Sequence, residues 1–425
     1  MGCAEVAIMQ RINNLTKPSV TQQISVMSLG VVVVLYLAHA LPLYFYNVAL
    51  PAILRHQGVD LRWIGLLSLL YIPWAFKFFW APLIDRFYIK KLGKRKTWLL
   101  FTQIALVLGI IALALTQFSY GLLAFVIIGL WISSFAATQD IAIDGYTVEA
   151  FSPQDYRFGS MAQSIGVALG SMLGGAATLW LYQYYGWQTA LICLASLTAL
   201  TMFAVFQIQE KNTEHMMKSP PSLMRAFKRP EIRWALLLIV CYRFVEAPAM
   251  AMLNPMLIDQ KWSLSQIGVL MSVVGAGVGL LAAVSAALLL KKRKATQLLL
   301  WAGWVRTLIY GLLGIAILFG WLNQWQLLLG VFVIAFLAIR YIAMTSLYAY
   351  FMQSSSKAQA GTDFTILVCF ELLVYFIGGA GSGFLAKSLG YGNFYIVLAI
   401  ASVVSLILSQ LIISKSQKTL RSEML

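Results

Sequence analysis

The sequence predicts an all-α polytopic membrane protein with twelve transmembrane helices arranged as two six-helix halves. Three observations lead to this fold class. Of the 425 residues, 60% are hydrophobic and only 11% are charged, with a mean hydropathy of +0.81, whereas a soluble domain averages about 25% charged residues. Apolar stretches of about 20 residues, the length that spans a bilayer core, recur along the chain. One long polar stretch divides them into two sets of six.

That polar stretch and the two chain ends divide the sequence into five predicted regions. The stretch is rich in proline and basic residues, which is typical of a connection between domains and not of a membrane helix. The predicted regions are an N-terminal tail (1–24), an N-terminal six-helix half (25–206), a linker (207–233), a C-terminal six-helix half (234–413) and a C-terminal tail (414–425).

Basic residues are distributed unevenly among the predicted loops. The chain has 31 Lys and Arg residues against 15 Asp and Glu, a formal net charge of +16, and most of the 31 fall in the tails, the linker and alternate loops. Short loops rich in Lys and Arg stay in the cytoplasm, so we expect both termini and the linker to be cytoplasmic. No basic stripe is interleaved with aromatic residues, so the expected partner of the chain is the lipid bilayer and not a nucleic acid.

The stretch from Lys77 to Trp98 predicts where the second helix ends. Its apolar run stops at Asp85 and Arg86, and a strongly basic loop around Gly93 follows. The N-terminus of a helix carries a partial positive charge. We therefore expect the Asp85 carboxylate to accept hydrogen bonds from the start of helix 11, in the other half of the protein.

The basic loop also predicts a gate on the cytoplasmic side. Arg86 and Arg95 are expected to reach Glu149 or Asp144, near the cytoplasmic end of helix 4. Contacts of this kind would hold the cytoplasmic side closed in the outward-open state. The candidate gating residues are Asp85, Arg86, Gly93, Lys94, Arg95 and Glu149.

Charged side chains inside membrane helices are costly and are functional candidates by default. Asp140 and Asp144 lie four residues apart on helix 4, so both face the same side, and Lys77 lies at a similar depth on helix 2. We expect Lys77 to pair with one of the two, either as a structural ion pair or as part of a proton-coupling site. A carboxylate that loses its partner in a dry site can take up a proton. Of the two, Asp140 is assigned the transported proton because it lies deeper in the helix.

The two halves are weakly similar to each other. LYLAHALP in helix 1 ends at Pro42 and CYRFVEAP in helix 7 ends at Pro248, with Tyr36 and Tyr242 in matching places. Two parallel repeats, with the substrate bound between them near the bilayer midplane, are the architecture of major facilitator transporters.

Two motifs resemble those of known transporters. APLIDR (81–86) followed by GKRK (93–96) resembles the loop 2–3 signature of the major facilitator superfamily, with extra residues in between. KFFWAPLIDR (77–86) together with ATQDIAIDGY (137–146) resembles a narrower group, which contains the muropeptide permease AmpG, the acetyl-CoA transporters and the RhtX/FptX-type siderophore permeases. The twelve-helix length and the AGTD run at the start of helix 11 (360–363) favour the siderophore permeases.

This resemblance implies a secondary active transporter that works by alternating access. The expected function is proton-coupled uptake of an iron–siderophore complex by a monomer in the bacterial inner membrane. An AmpG-like muropeptide permease is the alternative, followed by a drug or siderophore exporter. A non-transporting receptor is the alternative of a different class, and it would bind ligand without counterflow.

In the major facilitator arrangement, helices 1, 4, 7 and 10 line the cavity. Arg243 and Glu246 share one face of helix 7, and His39 on helix 1 is either a cavity residue or a packed histidine. Glu371 on helix 11 and Arg306 on helix 9 are weaker candidates, because helix 9 is expected to face lipid or its neighbours. Asp363 lies near a helix start, where it would complement the dipole. The candidate cavity residues are Tyr36, His39, Tyr242, Arg243, Glu246, Arg340 and Glu371.

Glycines at four-residue spacing predict close helix packing, or a sliding surface between helices. Helix 5 carries Gly166, Gly170 and Gly174, and helix 8 carries Gly275 and Gly279. Small residues at this spacing let two membrane helices approach closely.

The sequence lacks the motifs of several common enzyme classes, so we expect that the chain is not an enzyme, with an integral-membrane enzyme as the remaining alternative. It contains no nucleotide-binding G-x-x-x-x-G-K-[ST] run and no H-E-x-x-H, and its four cysteines have neither disulfide nor zinc spacing. We therefore expect no cofactor and no metal. With no ATP site on the chain, uphill transport would draw on an ion gradient, and protons are the expected partner of the small-molecule substrate.

Overall fold

The computed structural model describes residues 26–58, 70–116, 122–210, 220–321 and 326–422, and its regular elements in these ranges are all helices. Nine of the described helices are long and apolar enough to cross a membrane. A tenth span is formed if the bent pair Pro230–Arg243 and Glu246–Asp259 is counted as one. The predicted fold class, an all-α polytopic membrane protein, is confirmed. The predicted N-terminal tail and the middle of the predicted linker lie outside the described residues.

The N-terminal half contains six helices, several of them interrupted. Two of the interruptions are π-helical turns, at Phe45–Ala49 and Ser171–Ala177. The helices are α1 (Val26–Tyr44, Phe45–Ala49 and Leu50–His56), α2 (Ile72–Phe76, Lys77–Phe79 and Ala81–Arg86), α3 (Lys94–Leu115), α4 (Leu122–Ala150), α5 (Tyr156–Gly170 and Ser171–Ala177, continuing to residue 185) and α6 (residues 187–206).

The C-terminal half repeats this arrangement. It is preceded by a short helix, Leu223–Lys228, inside the predicted linker. The helices are α7 (Pro230–Arg243, Glu246–Ala251 and Leu253–Asp259), α8 (Leu264–Gly268, Val269–Val274 and Gly275–Leu290), α9 (Ala295–Leu318), α10 (Gln326–Ser354), α11 (Ala360–Ala380) and α12 (Ser382–Ser422, with a break at Gly390).

A single glycine makes the same kind of break late in each half. Gly186 separates α5 from α6 with φ 80°, and Gly390 interrupts α12 with φ 72°. Both values lie in the left-handed region, which a residue without a Cβ enters readily. These matching breaks support the internal repeat that the sequence predicts.

Glycines on α5 bring its backbone against α1. A Cβ at Gly174 would lie 2.1 Å from the Leu41 carbonyl oxygen, and one at Gly170 would lie 2.3 Å from the Ala40 Cβ. The prediction of close packing is therefore confirmed for α5. The outward faces of the bundle carry large exposed apolar side chains, such as Phe203 (72% exposed), as expected of surfaces that meet lipid.

Several helix boundaries differ from those predicted. The α3 helix begins at Lys94, within the basic loop that was expected to precede it, because Glu210 binds its first backbone N–H groups. The α7 helix begins at Pro230, a residue well suited to the first turn of a helix. The α12 helix continues to Ser422, so the basic C-terminal tail is helical through that residue.

The two halves are hydrogen-bonded to each other at one end of the bundle. Here Thr362 of α11 donates to Asp85 of α2, and the Lys357 Nζ lies 3.4 Å from the Phe151 carbonyl oxygen. This end carries the α2–α3 loop and the Lys291–Lys294 segment, so we refer to it as the basic end. The halves are thus closed against each other at the basic end.

Candidate functional site

Helix geometry places five polar side chains of the N-terminal half together. Asp140 and Asp144 face one side of α4, Tyr36 and His39 lie one turn apart on α1, and Lys77 comes from α2. The α2 helix is interrupted by the 3-10 turn Lys77–Phe79 just before Pro82, since proline cannot donate the backbone hydrogen bond that would continue the helix. We call these residues the carboxylate cluster: Tyr36, His39, Lys77, Asp140 and Asp144.

Within the carboxylate cluster the two aspartates have different partners. One oxygen of Asp140 forms an ion pair with the Lys77 Nζ, and the other lies 3.2 Å from the His39 Nε2. The Tyr36 hydroxyl donates to Asp144 at 2.8 Å. Of the two pairings that the sequence left open for Lys77, the structure contains the one with Asp140.

The carboxylate cluster is closed off from solvent. The Lys77 side chain is 1% exposed and that of Asp140 6%. Trp74 covers this site. Its ring centroid lies 5.1 Å from the Lys77 Nζ and 5.5 Å from the centroid of the His39 ring. In such a dry setting a charge that loses its partner is strongly disfavoured, so the ionisation of one member depends on the position of the others.

One carboxylate oxygen in this cluster is unsatisfied. The Asp144 Oδ2 is buried and has no hydrogen-bond partner among the described residues. The cluster also holds two carboxylates against a single lysine. A buried anionic oxygen without a donor is costly, and a proton on Asp144 would remove both the excess charge and the unsatisfied anion.

The C-terminal half contains a second buried cluster, built largely of arginines. Pro248 cannot donate a hydrogen bond to the Phe244 carbonyl and clashes with it, and α7 breaks between Arg243 and Glu246. The residues flanking the break form an ion pair. We call the group the guanidinium cluster: Arg243, Glu246, Arg306, Arg340 and Glu371.

Glu246 lies at the centre of the guanidinium cluster. It forms an ion pair with Arg243, accepts from the Arg340 Nε at 3.0 Å and lies 3.7 Å from the Arg306 guanidinium. Arg243 also pairs with Glu371 of α11. The cluster therefore holds three guanidinium groups against two carboxylates, which is an excess of one positive charge.

Arg306 lies inside the bundle, where α9 packs against its neighbours, one of the two arrangements expected for this helix. Its side chain is 3% exposed. Its guanidinium donates to the Tyr242 carbonyl oxygen and to the Ser402 hydroxyl, each at 3.1 Å, and lies over the Tyr242 ring at 4.4 Å. Part of α9 thus faces its neighbours in the bundle, and not lipid, at this position.

Two helices of the C-terminal half connect the two clusters. Cys369 of α11 lies 3.4 Å from the Trp74 carbonyl oxygen beside Lys77, and Glu371 follows it by two residues. Arg340 of the guanidinium cluster comes from α10, and the Thr345 hydroxyl of the same helix lies 3.0 Å from the Ser164 hydroxyl of α5. The two clusters therefore flank the same interface between the halves.

A third charged cluster closes the basic end. Arg95 donates to Asp85 at 2.7 Å and to Glu149 at 2.7 and 2.9 Å, and Lys94 donates to Glu149 at 2.9 Å. The second oxygen of Asp85 accepts from both the backbone N–H and the hydroxyl of Thr362, each at 2.7 Å. We call Asp85, Lys94, Arg95, Glu149 and Thr362 the gate cluster.

Two other predicted gating residues, Arg86 and Gly93, do not take part in the ion pairs of the gate cluster. Arg86 lies with its guanidinium over the Phe87 ring at 5.1 Å, and in the described part of the chain Arg95, not Arg86, pairs with Glu149. Gly93 adopts φ 105°, and a Cβ there would lie 2.8 Å from the Glu210 carboxylate. A glycine is therefore needed for the approach of Glu210 to α3.

The sequence predicts that Asp85 accepts hydrogen bonds from the start of α11, and Thr362 is the residue that donates them. It does not predict the contact between Glu210 and α3, because Glu210 lies far from α3 in the chain. Asp363 binds side-chain partners as well as lying in the first turn of α11. It pairs with Arg229 and accepts from Gln359 at 2.6 Å and from the Ser356 N–H at 2.8 Å. These positions share no sequence signal, since Glu210 lies in the polar linker and Asp363 follows a polar run at the start of α11.

The profile of the Major Facilitator Superfamily matches residues 32–362, more than three quarters of the chain. The chain belongs to the Major Facilitator Superfamily. It is consequently a multi-pass membrane protein of a transporter family, and its relatives are transporters and not enzymes.

Two curated relatives extend over nearly the same range. The chain is 26% identical over 394 residues to the anhydromuropeptide permease of Escherichia coli K12, covering 89% of this chain and 78% of that protein. It is 21% identical over 394 residues to the putative transporter AmpG 4 of Rickettsia felis, covering 88% of this chain and 93% of that protein. These relatives support the alternative drawn from the sequence, a muropeptide permease, better than they support siderophore uptake.

Solved structures agree on the fold. The transporter FucP in the outward conformation has a TM-score of 0.67 and 12% identity, covering 91% of this chain and 99% of its own. The proton:xylose symporter XylE has a TM-score of 0.70 and 11% identity, covering 89% and 94%. At such low identity these similarities concern the fold alone.

Proposed function

We propose that this protein is a proton-coupled permease that imports muropeptide-type ligands, sugars linked to a short peptide, by alternating access. The observation that carries the proposal is the similarity to an anhydromuropeptide permease over 89% of the chain. The two buried charged clusters at the interface of the halves supply a proton site and an ionic ligand site. Siderophore uptake is the alternative function, and the uptake experiment described below distinguishes the two.

The orientation of the chain in the membrane follows from the charges at the basic end, and import is the direction that we propose. Loops rich in Lys and Arg remain in the cytoplasm, so we assign the basic end, the linker and both termini to the cytoplasmic side of a bacterial inner membrane. The gate cluster then holds the cytoplasmic side closed, and the ligand enters from the opposite side. Opening requires the Asp85–Thr362 contacts between the halves to break.

The carboxylate cluster is the proposed proton-coupling site. Lys77 neutralises Asp140 in this arrangement. When the halves rock, withdrawal of Lys77 would leave a buried carboxylate that takes up a proton. Asp140 would then carry the transported proton, while Asp144, held by Tyr36, would remain protonated through the cycle.

Uptake into right-side-out vesicles tests the proposal. Vesicles from a strain without its own muropeptide permease, with and without this protein, are given an imposed proton gradient. Radiolabelled anhydromuropeptide and a labelled ferric siderophore are supplied separately. We expect muropeptide to accumulate only with the protein present, and to leak out when an uncoupler is added. Accumulation of the siderophore without the muropeptide would reject the proposal in favour of siderophore uptake.

A further inference from the structure

The three arginines of the guanidinium cluster differ in how fully they are bound. Arg243 is paired with both carboxylates of the cluster, and Arg306 is bound by a carbonyl oxygen and a hydroxyl. Arg340 has one hydrogen bond, from its Nε to Glu246. Its side chain is 20% exposed, whereas those of Arg243 and Arg306 are 3% exposed.

The terminal nitrogens of Arg340 are the open part of this cluster. Neither Nη1 nor Nη2 has a hydrogen-bond partner among the described residues, and neither is among the fully buried atoms. The guanidinium lies 5.8 Å from the Tyr341 ring. One helix turn further along α10, the Thr345 hydroxyl lies 3.0 Å from the Ser164 hydroxyl of α5, in the other half. Arg340 is therefore on a helix at the interface between the halves.

The charge balance indicates what should bind at this edge. The cluster has one positive charge more than its two carboxylates neutralise, and an unneutralised charge in a half-buried site is costly. A guanidinium presents two parallel N–H groups that match the two oxygens of a carboxylate. A neutral or cationic group would leave the excess charge unpaired.

We propose that the two terminal nitrogens of Arg340 bind a carboxylate of the transported ligand, and that the ligand is therefore an anion. This rests on the proposed function, in which the peptide part of the ligand provides the carboxylate. Glu246 orients the guanidinium through its Nε, which leaves the other two nitrogens for the ligand. Arg340 is thus a ligand-binding residue on α10, opposite the carboxylate cluster.

Binding of paired ligands to the purified full chain tests the carboxylate requirement. Calorimetry compares anhydromuropeptide with a form whose peptide carboxylates are converted to amides. The wild type should bind the acid about tenfold more tightly than the amide, the order of one charge-assisted hydrogen-bonded pair. Arg340→Gln should bind both forms with equal, weak affinity, and Arg340→Lys should keep part of the preference. Arg293→Gln, in an exposed loop at the basic end, is the control and should behave as the wild type.

The outcomes separate this inference from the proposed function. Equal binding of acid and amide by the wild type, or an unchanged preference in Arg340→Gln, would overturn the inference. Muropeptide transport would be unaffected by that result, because the vesicle uptake experiment tests it separately. If neither muropeptide form binds but ferric citrate, an iron complex with carboxylates, binds in an Arg340-dependent way, the carboxylate site stands and the muropeptide function falls.

A second measurement requires no ligand and no substitution. Phenylglyoxal reacts with accessible guanidinium groups, and mass spectrometry locates the modified arginines. In the wild type we expect modification of Arg340, with Arg243 and Arg306 protected by their burial. Modification of the three at equal rates would overturn the assignment of Arg340 as the open guanidinium.

Discussion

The two buried clusters lie on opposite sides of one interface but are built from opposite charges. The carboxylate cluster has two acids, one lysine and an unsatisfied acidic oxygen. The guanidinium cluster has three arginines and two acids, with an open guanidinium edge. Both are buried, so neither excess is screened by water as it would be at a surface.

This difference indicates a division of labour between the halves. Carboxylates and lysine can change their ionisation when their partners move, whereas arginine remains protonated in proteins. An excess of acid therefore suits a group that gains and loses a proton. An excess of guanidinium suits a permanent positive charge that binds an anion.

The largest effect is expected from Asp140→Asn. The amide cannot carry a proton, so accumulation against a gradient should be abolished while exchange of ligand across the membrane without energy input is retained. Uptake and counterflow in proteoliposomes measure the two activities. Asp259→Asn, at an exposed position bonded to Tyr391, is the control. Uncoupler-sensitive accumulation by Asp140→Asn would place the proton elsewhere, with Glu246 the next candidate.

A slightly smaller effect on transport is expected from Asp85→Asn, which weakens the contact between the two halves at the basic end. The loss of a charged acceptor bound to Thr362 and Arg95 is worth roughly 1.5–3 kcal/mol, enough to shift the balance between states by about tenfold or more. Transport should fall while folding is kept. Ser164 of α5 reports on opening, because its hydroxyl lies 3.0 Å from that of Thr345 in the other half. In a cysteine-free background, a cysteine introduced by Ser164→Cys should react faster with thiol reagents from the basic end when Asp85→Asn is also present.

Lys90→Gln, at an exposed position of the same basic loop, is the control for the gate. It should leave both transport and labelling unchanged. Equal transport by Asp85→Asn at equal expression would show that the gate cluster does not control the exchange between states.

Glu371→Gln should change affinity and leave coupling intact. Arg243 keeps its ion pair with Glu246, but the excess positive charge of the cluster rises by one. At about 15 Å and an effective dielectric constant of about 20, one added positive charge makes the binding free energy of an anion more favourable by roughly 1 kcal/mol. This corresponds to an affinity about fivefold higher. We expect a lower KM for the acidic ligand and an unchanged accumulation ratio. A loss of accumulation would show that acids of both halves take part in proton coupling, which would contradict the division of labour between the halves.

The smallest effect on transport is expected from Gly174→Ala, which leaves both clusters chemically intact. The added methyl group would meet the backbone of α1 at Leu41, and overpacking of this kind costs about 1–3 kcal/mol. Thermal unfolding in detergent should show the loss of stability. Gly277→Ala, where a Cβ meets nothing within 4 Å, should be neutral. Equal stability of the two variants would contradict the close α1–α5 contact.

Hydropathy and loop charge were sufficient to predict the fold class, because membrane helices are defined by continuous apolar length. The pairing of Lys77 with one of the two aspartates followed from their spacing on α4. The inward position of Arg306 is expected from its charge, because charged side chains in membrane helices face the bundle interior; its partners Tyr242 and Ser402 could not be predicted, since they come from other helices. The cap on α3 was missed because Glu210 is brought there by tertiary folding.

The single-glycine breaks at Gly186 and Gly390 have a consequence for protein engineering. Gly186 is the whole connection between α5 and α6, with helix on both sides. Epitope tags, reporter domains and protease sites need a stretch of exposed chain to be inserted without strain. Insertion at either glycine would push apart two helices that are covalently adjacent. A fusion partner can enlarge the particle for imaging or serve to raise binders against it. Such a partner is better attached at the basic end, where Lys291–Lys294 forms an exposed segment.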